Sequence, residues 1–231
     1  MEAIILAGGL GTRLKNKLQG LPKPMAPVAG RPFLEILLNQ LVRSGCTRVI
    51  LSVGHLHEVI ESHFGAAWRG LSIDYSIEIA PLGTGGAIRA SLAHATEDNI
   101  LILNGDTVLE ADYAEMMHFH AGLTAEMTIA VTRQPDIARY GGVIIEGDRI
   151  LGFDEKGRSG PGWINAGAYV IRRGLAWPPD LPAKFSFERD FLAPEIAHLR
   201  PIAFKVEGFF LDIGIPEDLD RAQTELAGVD L

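Results

Sequence analysis

The groups best suited to hold a phosphate chain lie near the start of this sequence. Leu6-Ala7-Gly8-Gly9-Leu10-Gly11-Thr12-Arg13-Leu14 follows the apolar run Ala3-Ile4-Ile5, and Pro22-Lys23-Pro24-Met25 comes shortly after. A buried strand that empties into glycines brings backbone N–H groups close to a ligand, because glycine tolerates positive φ and close approach. Leu6, Ala7, Gly8, Gly9, Gly11 and Thr12 therefore form the expected nucleotide-binding turn. Arg13 adds a planar fork of donors matched to phosphate oxygens, and Lys23 adds a point charge. The chemistry predicted is that of a nucleoside triphosphate held at the tip of the first strand.

Other glycine loops fit less well. A dinucleotide fingerprint needs G-x-G-x-x-G running straight into a helix. Here Gly9-Leu10-Gly11-Thr12-Arg13 leads to Leu14, with no third glycine and no helix expected before the prolines. A Walker A loop is absent from the chain. The structural alternative is a bare strand-exit turn, and Arg13 and Lys23 weigh against it.

Two aspartates could add a cation. Asp106 stands after the apolar run 100–103, in Asn104-Gly105-Asp106, and Asp212 stands between Gly208-Phe209-Phe210-Leu211 and Ile213-Gly214. Ligands of open parallel sheets bind beyond the carboxyl ends of the strands. Carboxylates there can hold a hard divalent cation beside phosphate oxygens, and Mg²⁺ needs only one or two of them. An aspartate capping a turn is the structural alternative for each.

The elements that must position these groups alternate along the chain. Strands are expected at residues 3–6, 48–53, 71–77 and 100–103, and helices at 32–44, 58–64 and 84–95, with Thr84 as N-cap of the last. This order implies an α/β fold with a mainly parallel sheet covered by helices on both faces. From about residue 125 shorter strands are expected, at 143–146, 150–153 and 168–171, as an antiparallel extension walling a cleft. A helix closes the chain at 216–226, with Glu217 and Asp218 in its first turn.

At 231 residues the chain reads as one domain, with 1–124 mainly for nucleotide and 125–231 mainly for the second substrate. A net charge of −8 argues against nucleic-acid or membrane-surface binding, so anionic substrates must be drawn by a local basic cluster. Cys46 is the only cysteine, which excludes an internal disulfide and suits a reducing cytoplasm. No signal peptide or transmembrane run is apparent, so a cytoplasmic location is expected. A homodimer is compatible with the sequence. His55-x-His57 and His118-x-His120 lack a third ligand nearby and read as structural.

A-G-G-L-G-T-R-L followed by P-K-P-M resembles the signature of the sugar-1-phosphate nucleotidylyltransferases. The resemblance implies a Rossmann-like nucleotide-diphospho-sugar transferase fold, with Arg13 and Lys23 activating the triphosphate. It implies Asp106 and Asp212 as ligands of Mg²⁺, from the N-G-D element and the aspartate before I-G-I-P-E-D. Glu78-Ile79-Ala80-Pro81-Leu82-Gly83-Thr84 resembles the family's base-binding segment, so Glu78, Pro81, Gly83 and Thr84 are expected at the nucleobase. Members using dTTP often carry glutamine at the position of Glu78. A carboxylate only accepts, which suits the adjacent N1–H and N2–H donors of guanine, and so GTP is favoured. Tyr140-Gly141-Gly142-Val143, Glu155-Lys156-Gly157 and Asn165-Ala166-Gly167 resemble its sugar-phosphate elements, which implies Tyr140, Gly141, Glu155, Lys156 and Asn165 as contacts of a sugar 1-phosphate.

Within the family the chain is most similar to bacterial guanylyltransferases acting on D-glycero-α-D-manno-heptose 1-phosphate. The runs P-K-P-M-A-P-V, F-S-F-E-x-D-F and D-I-G-I-P-E-D carry that likeness. Mannose-1-phosphate guanylyltransferases, and thymidylyl- or uridylyltransferases of glucose 1-phosphate or N-acetylmuramate 1-phosphate, are the alternatives. A nucleotide-sugar sensor on the same fold is the non-enzymatic one.

Overall fold

The structure is a computed structural model that describes residues 1–231 except Leu10, Gln19, Thr124, Glu155, Lys156 and residues 229–231. The first half runs β1 (Glu2–Leu6), α1 (Lys15–Leu18), β2 (Pro27–Val28), β3 (Arg31–Pro32), α2 (Phe33–Arg43), β4 (Arg48–Val53), α3 (His57–Phe64), β5 (Ala67–Trp68), β6 (Leu71–Ile77), α4 (Gly83–Leu92), β7 (Asn99–Asn104), β8 (Thr107–Leu109) and α5 (Tyr113–Ala121). It continues with β9 (Met127–Gln134), β10 (Val143–Glu146), β11 (Arg149–Phe153), β12 (Gly162–Arg172), α6 (Ile196–Leu199), β13 (Ile202–Val206), β14 (Phe210–Asp212) and α7 (Pro216–Glu225).

Ten strands form one sheet in the order β10-β11-β13-β9-β12-β7-β1-β4-β6-β5. β7, β1, β4 and β6 are mutually parallel, with Leu6 level with both Ser52 and Asn104. The apolar runs of β7, β1 and β4 are buried on both faces, as central parallel strands require, while β6 mixes buried and exposed residues. Side-chain alternation divides the core in two. Ala3, Ile5, Leu101 and Leu103 face α2, α3, α5 and α7. Ile4, Ile100 and Ile102 face α4 and the phenylalanines Phe185, Phe187 and Phe191. The chain adds β4 and β6 on one side of β1 and then crosses to place β7 on the other. Such a reversal opens a crevice at the carboxyl ends of β1 and β7.

Three differences from the sequence reading have physical causes. A 3-10 turn at Thr12–Leu14 and the single turn α1 follow the glycine loop, where no helix was expected; α1 has only four residues, too short to serve as a dinucleotide-binding helix. β12 is an eleven-residue strand, longer than the expected 168–171, because a bulge between Asn165 and Tyr169 interrupts its alternation. It lies antiparallel between β7 and β9, so the second half extends the main sheet, and β13 joins it parallel to β9. Thr84 lies inside α4 and does not cap it; Leu82 precedes the helix without a side-chain cap.

His120, at the end of α5, is buried, with Nδ1 2.8 Å from the Thr128 hydroxyl. Burial, with Arg172 nearby, lowers its pKa from 6.5 to about 4. The unfolded chain therefore takes up this proton first as pH falls. The contribution is fully present above pH 6.5 and is lost as pH falls towards 4. Denaturant unfolding is expected to lose on the order of 2–3 kcal/mol across that window through this residue. His120→Gln should flatten that part of the pH profile, and an unchanged slope would contradict the assignment.

Candidate active site

The crevice at the β1/β7 reversal is a cleft of about 380 Å³. Its floor is made where the two strand-exit loops touch. Gly105 N–H donates to the Leu6 carbonyl at 3.1 Å, and a β-carbon on Gly105 would collide with that same oxygen. Only glycine lets the β7 exit lie this close to the β1 exit. Leu6, Gly8, Gly9, Gly11, Thr12 and Arg13 line one side of the cleft, and Lys23 and Asp106 line its far end. Ala7 is buried behind the loop, its N–H donating to Ser52 O at 2.7 Å.

The two cations of the loop are in different states. Arg13 is exposed, whereas Lys23 is 8% exposed and ion-paired with Asp106. Gly11 holds this arrangement with φ of 59°, and a β-carbon there would press on the Leu18 and Lys23 side chains. Asp106 leads directly into β8, which pairs antiparallel with β14 so that Asp212 lies opposite Thr107. The Asp106 carbonyl accepts from Ile213 N–H at 2.9 Å. Asp212 Oδ1 accepts from Gly214 N–H at 2.6 Å, and Gly214 itself lines the cleft. Burial first, and then the Asp106 carboxylate, push the pKa of Asp212 up; Gly214 N–H, Lys23 and Arg139 pull it down. Two carboxylates thus share one electrostatic environment and present hard oxygen donors, a set suited to Mg²⁺.

At the other end lie Glu78, Pro81, Gly83 and Thr84. Glu78 Oε2 accepts from Leu82 N–H at 2.8 Å, which anchors the carboxylate against the start of α4. A β-carbon on Gly8 would lie 2.5 Å from Glu78 Oε1, so a side chain at residue 8 would displace this carboxylate. A returning segment of the second half finishes this wall. Phe185 N–H donates to Leu82 O, and Gly85 N–H donates to Phe185 O, both at 3.0 Å. The Thr84 hydroxyl accepts from Phe187 N–H at 2.8 Å and donates to Glu188 at 3.1 Å. Lys184, carried on this segment, lines the cleft, as do Asn104 and Ala87. Lys184 does not stand out in the sequence, because only the fold returns its segment to α4.

The residues expected at a sugar phosphate are distributed differently. The Tyr140 ring packs edge-on against Phe210 of β14 at 5.5 Å, two residues before Asp212. Gly141, with φ of 85°, turns the chain beside it. Asn165 spends its side chain internally, donating to the Tyr169 hydroxyl at 2.9 Å and accepting from Gly167 N–H at 3.0 Å. The Tyr169 hydroxyl in turn donates to Glu188 at 3.1 Å. Glu155 and Lys156 lie outside the described residues. Among the described residues no helix is long and apolar enough to cross a membrane.

Residues 2–227 match the family model described as nucleotidyl transferase. The chain is 45% identical to the D-glycero-alpha-D-manno-heptose 1-phosphate guanylyltransferase of Aneurinibacillus thermoaerophilus, covering 98% of both chains. It is 40% identical to the protein of that name from Campylobacter jejuni, over 94% of this chain and 96% of the other. A crystal structure of HddC from Yersinia pseudotuberculosis complexed with GMP-PN superposes with a TM-score of 0.84 at 37% identity, covering 97% of this chain and 99% of that one.

The Gly105 contact yields a test of the cleft floor. Gly105→Ala is expected to destabilise the fold by about 1–3 kcal/mol through the forced separation of the two loops. A shift of the loops by about 1 Å should lower turnover by roughly a hundredfold. Thermal unfolding and steady-state rates measure the two effects, and wild-type values for both would show that the loops need not touch.

Proposed function

The chain belongs to the nucleotidyl transferase family, and we propose that it transfers GMP from GTP to a sugar 1-phosphate, D-glycero-α-D-manno-heptose 1-phosphate, releasing pyrophosphate. The observation that carries this reading is the joining, in one cleft, of the glycine loop with Arg13, the Lys23–Asp106 pair and the Glu78 wall. The names of the relatives at 45% and 40% identity support both the base and the sugar. We read residues 1–124 as mainly the nucleotide side and 125–231 as mainly the sugar-phosphate side of one cytoplasmic catalytic unit.

A sugar 1-phosphate is already an anionic nucleophile at neutral pH, so no side chain has to remove a proton. One of its oxygens attacks the α-phosphorus of GTP; that P–O bond forms as the bond to the β-phosphate bridging oxygen breaks, and pyrophosphate leaves. The barrier lies in bringing anions together and in the charge that grows on the leaving group. Backbone N–H groups of Gly8, Gly9, Gly11 and Thr12 cradle the phosphates, and exposed Arg13 forks onto their oxygens. Lys23 balances charge near the α-phosphate. Asp106 and Asp212 would hold Mg²⁺, which when bound neutralises and aligns phosphate oxygens. Glu78 accepts from guanine, with Pro81, Gly83 and Thr84 around the base. Tyr140, Gly141, Glu155, Lys156 and Asn165 are assigned to the sugar-phosphate side, with Asn165 acting through Tyr169 and Glu188.

Pyrophosphate release, measured with Mg²⁺ for each nucleoside triphosphate against heptose, mannose, glucose and N-acetylmuramate 1-phosphates, tests the reading. Turnover is expected with GTP and the heptose phosphate. A preference for the mannose phosphate would change the sugar, and nucleotide binding without any turnover would point to a sensor. Arg13→Ala is expected to lose on the order of a hundredfold or more in kcat while its melting temperature stays unchanged. Glu78→Gln should raise KM for GTP and move selectivity towards UTP and dTTP; unaltered base preference would remove Glu78 from recognition.

A further inference from the structure

Arg139 is the residue before Tyr140, and its guanidinium reaches three places at once. It is ion-paired with Asp218, which is 4% exposed in the first turn of α7. It lies 3.5 Å from Asp212 Oδ2, and its Nη2 contacts the Asp212 carbonyl at 3.4 Å. Its guanidinium carbon lies over the Tyr140 ring, 4.9 Å from the ring centre. Asp212 is therefore met on both carboxylate oxygens, Oδ1 by a hydrogen bond from Gly214 N–H and Oδ2 by the Arg139 charge at 3.5 Å, while Arg139 also bonds the Asp212 carbonyl. A carboxylate has about four lone-pair sites, so this grip sets the orientation of the group while leaving acceptor capacity for a cation.

We infer that Arg139, anchored by Asp218, is a positioning residue that orients Asp212 for the divalent metal. This rests on the assignment of Asp212 as a metal ligand. Partners of this kind orient ligating carboxylates elsewhere, and their loss costs about 10–100-fold in metal affinity.

Charge makes the inference testable by its sign. Asp218 is shared by Arg139 and Arg221, and Arg221 also pairs with Glu225, its ion pairs with Asp218 and Glu225 each 3.1 Å long. Two guanidiniums thus face Asp218 and Glu225 in charge balance, and Asp212 gives the cluster one net negative charge. Removing Arg139 adds a second negative charge, which by Coulomb attraction alone would tighten a cation at Asp212. Loss of orientation acts the other way. In the variant Arg221 still donates to Asp218 Oδ1 while Oδ2 loses its partner, so part of the buried carboxylate's charge remains compensated and the fold is expected to survive.

The experiment is a titration of the full chain with Mn²⁺, followed by electron paramagnetic resonance, with GTP present and sugar phosphate absent. Arg139→Ala should raise the Mn²⁺ Kd about tenfold. Arg139→Lys, which keeps the charge but loses the fork, should fall between wild type and Arg139→Ala. Arg139→Gln, which keeps an amide donor for Asp218, is expected to weaken Mn²⁺ binding as Arg139→Ala does, and it supplies the same test where the alanine variant fails to fold. Unchanged or tighter Mn²⁺ binding in a folded neutral variant overturns the inference and leaves the metal reading standing. Wild-type Mn²⁺ binding that survives both Asp106→Ala and Asp212→Ala overturns the metal reading itself, and the role of Arg139 with it.

Discussion

Two carboxylates of like charge, Asp106 in the lining of the cleft and Asp212 two residues before the lining residue Gly214, are brought within reach of each other's charge by the pairing of β8 with β14. Like charges at close range in a medium of reduced dielectric repel by a few kcal/mol, on the order expected for shifted carboxylates. The molecule answers with Lys23 on Asp106 and with Gly214 N–H and Arg139 on Asp212. Each of these partners is delivered by a different segment: the turn after α1, the start of the α7 approach, and the loop before β10. The site can form only when all of them are in place, so the cleft depends on the whole sheet being folded.

The sheet meets this demand through its connectivity. β1 and β7 are neighbours whose exits diverge only beyond the Leu6–Gly105 contact, and that contact sets the floor on which the glycine loop rests. α4 closes the opposite wall, and it is fixed by reciprocal backbone bonds to Phe185 from the second half. Glu188, accepting from Thr84, Tyr169 and Ser186, ties the nucleobase wall to the strand that carries Asn165. The two halves of the chain therefore share a hydrogen-bonded frame around one cleft.

Much of the frame was legible along the chain. β4 and β6 occupy the expected 48–53 and 71–77, and β10 occupies 143–146, because each is an apolar or alternating run bounded by turn residues. α2 and α7 differ by a residue at each end or one end, the usual uncertainty of fraying termini. β12 was only partly legible, since Gly167 and the bulge after Asn165 break the period of two. Thr84 looked like a cap because threonine before a helical run favours that use, but tertiary contacts recruited its hydroxyl to Phe187 and Glu188 instead.

By itself the sequence determined the chemistry available: a glycine turn beside Arg13, a lysine between prolines, acids at two strand ends, and a carboxylate ahead of the base wall. These are properties of residue type and short spacing, which local sterics and charge make readable. Only the tertiary structure decided that Lys23 rests on Asp106, that Lys184 returns to the cleft, and that Arg139 grips Asp212 and Asp218 together. Such partnerships join residues far apart in the chain, and no local pattern encodes a contact whose geometry is set by the packing of a ten-stranded sheet.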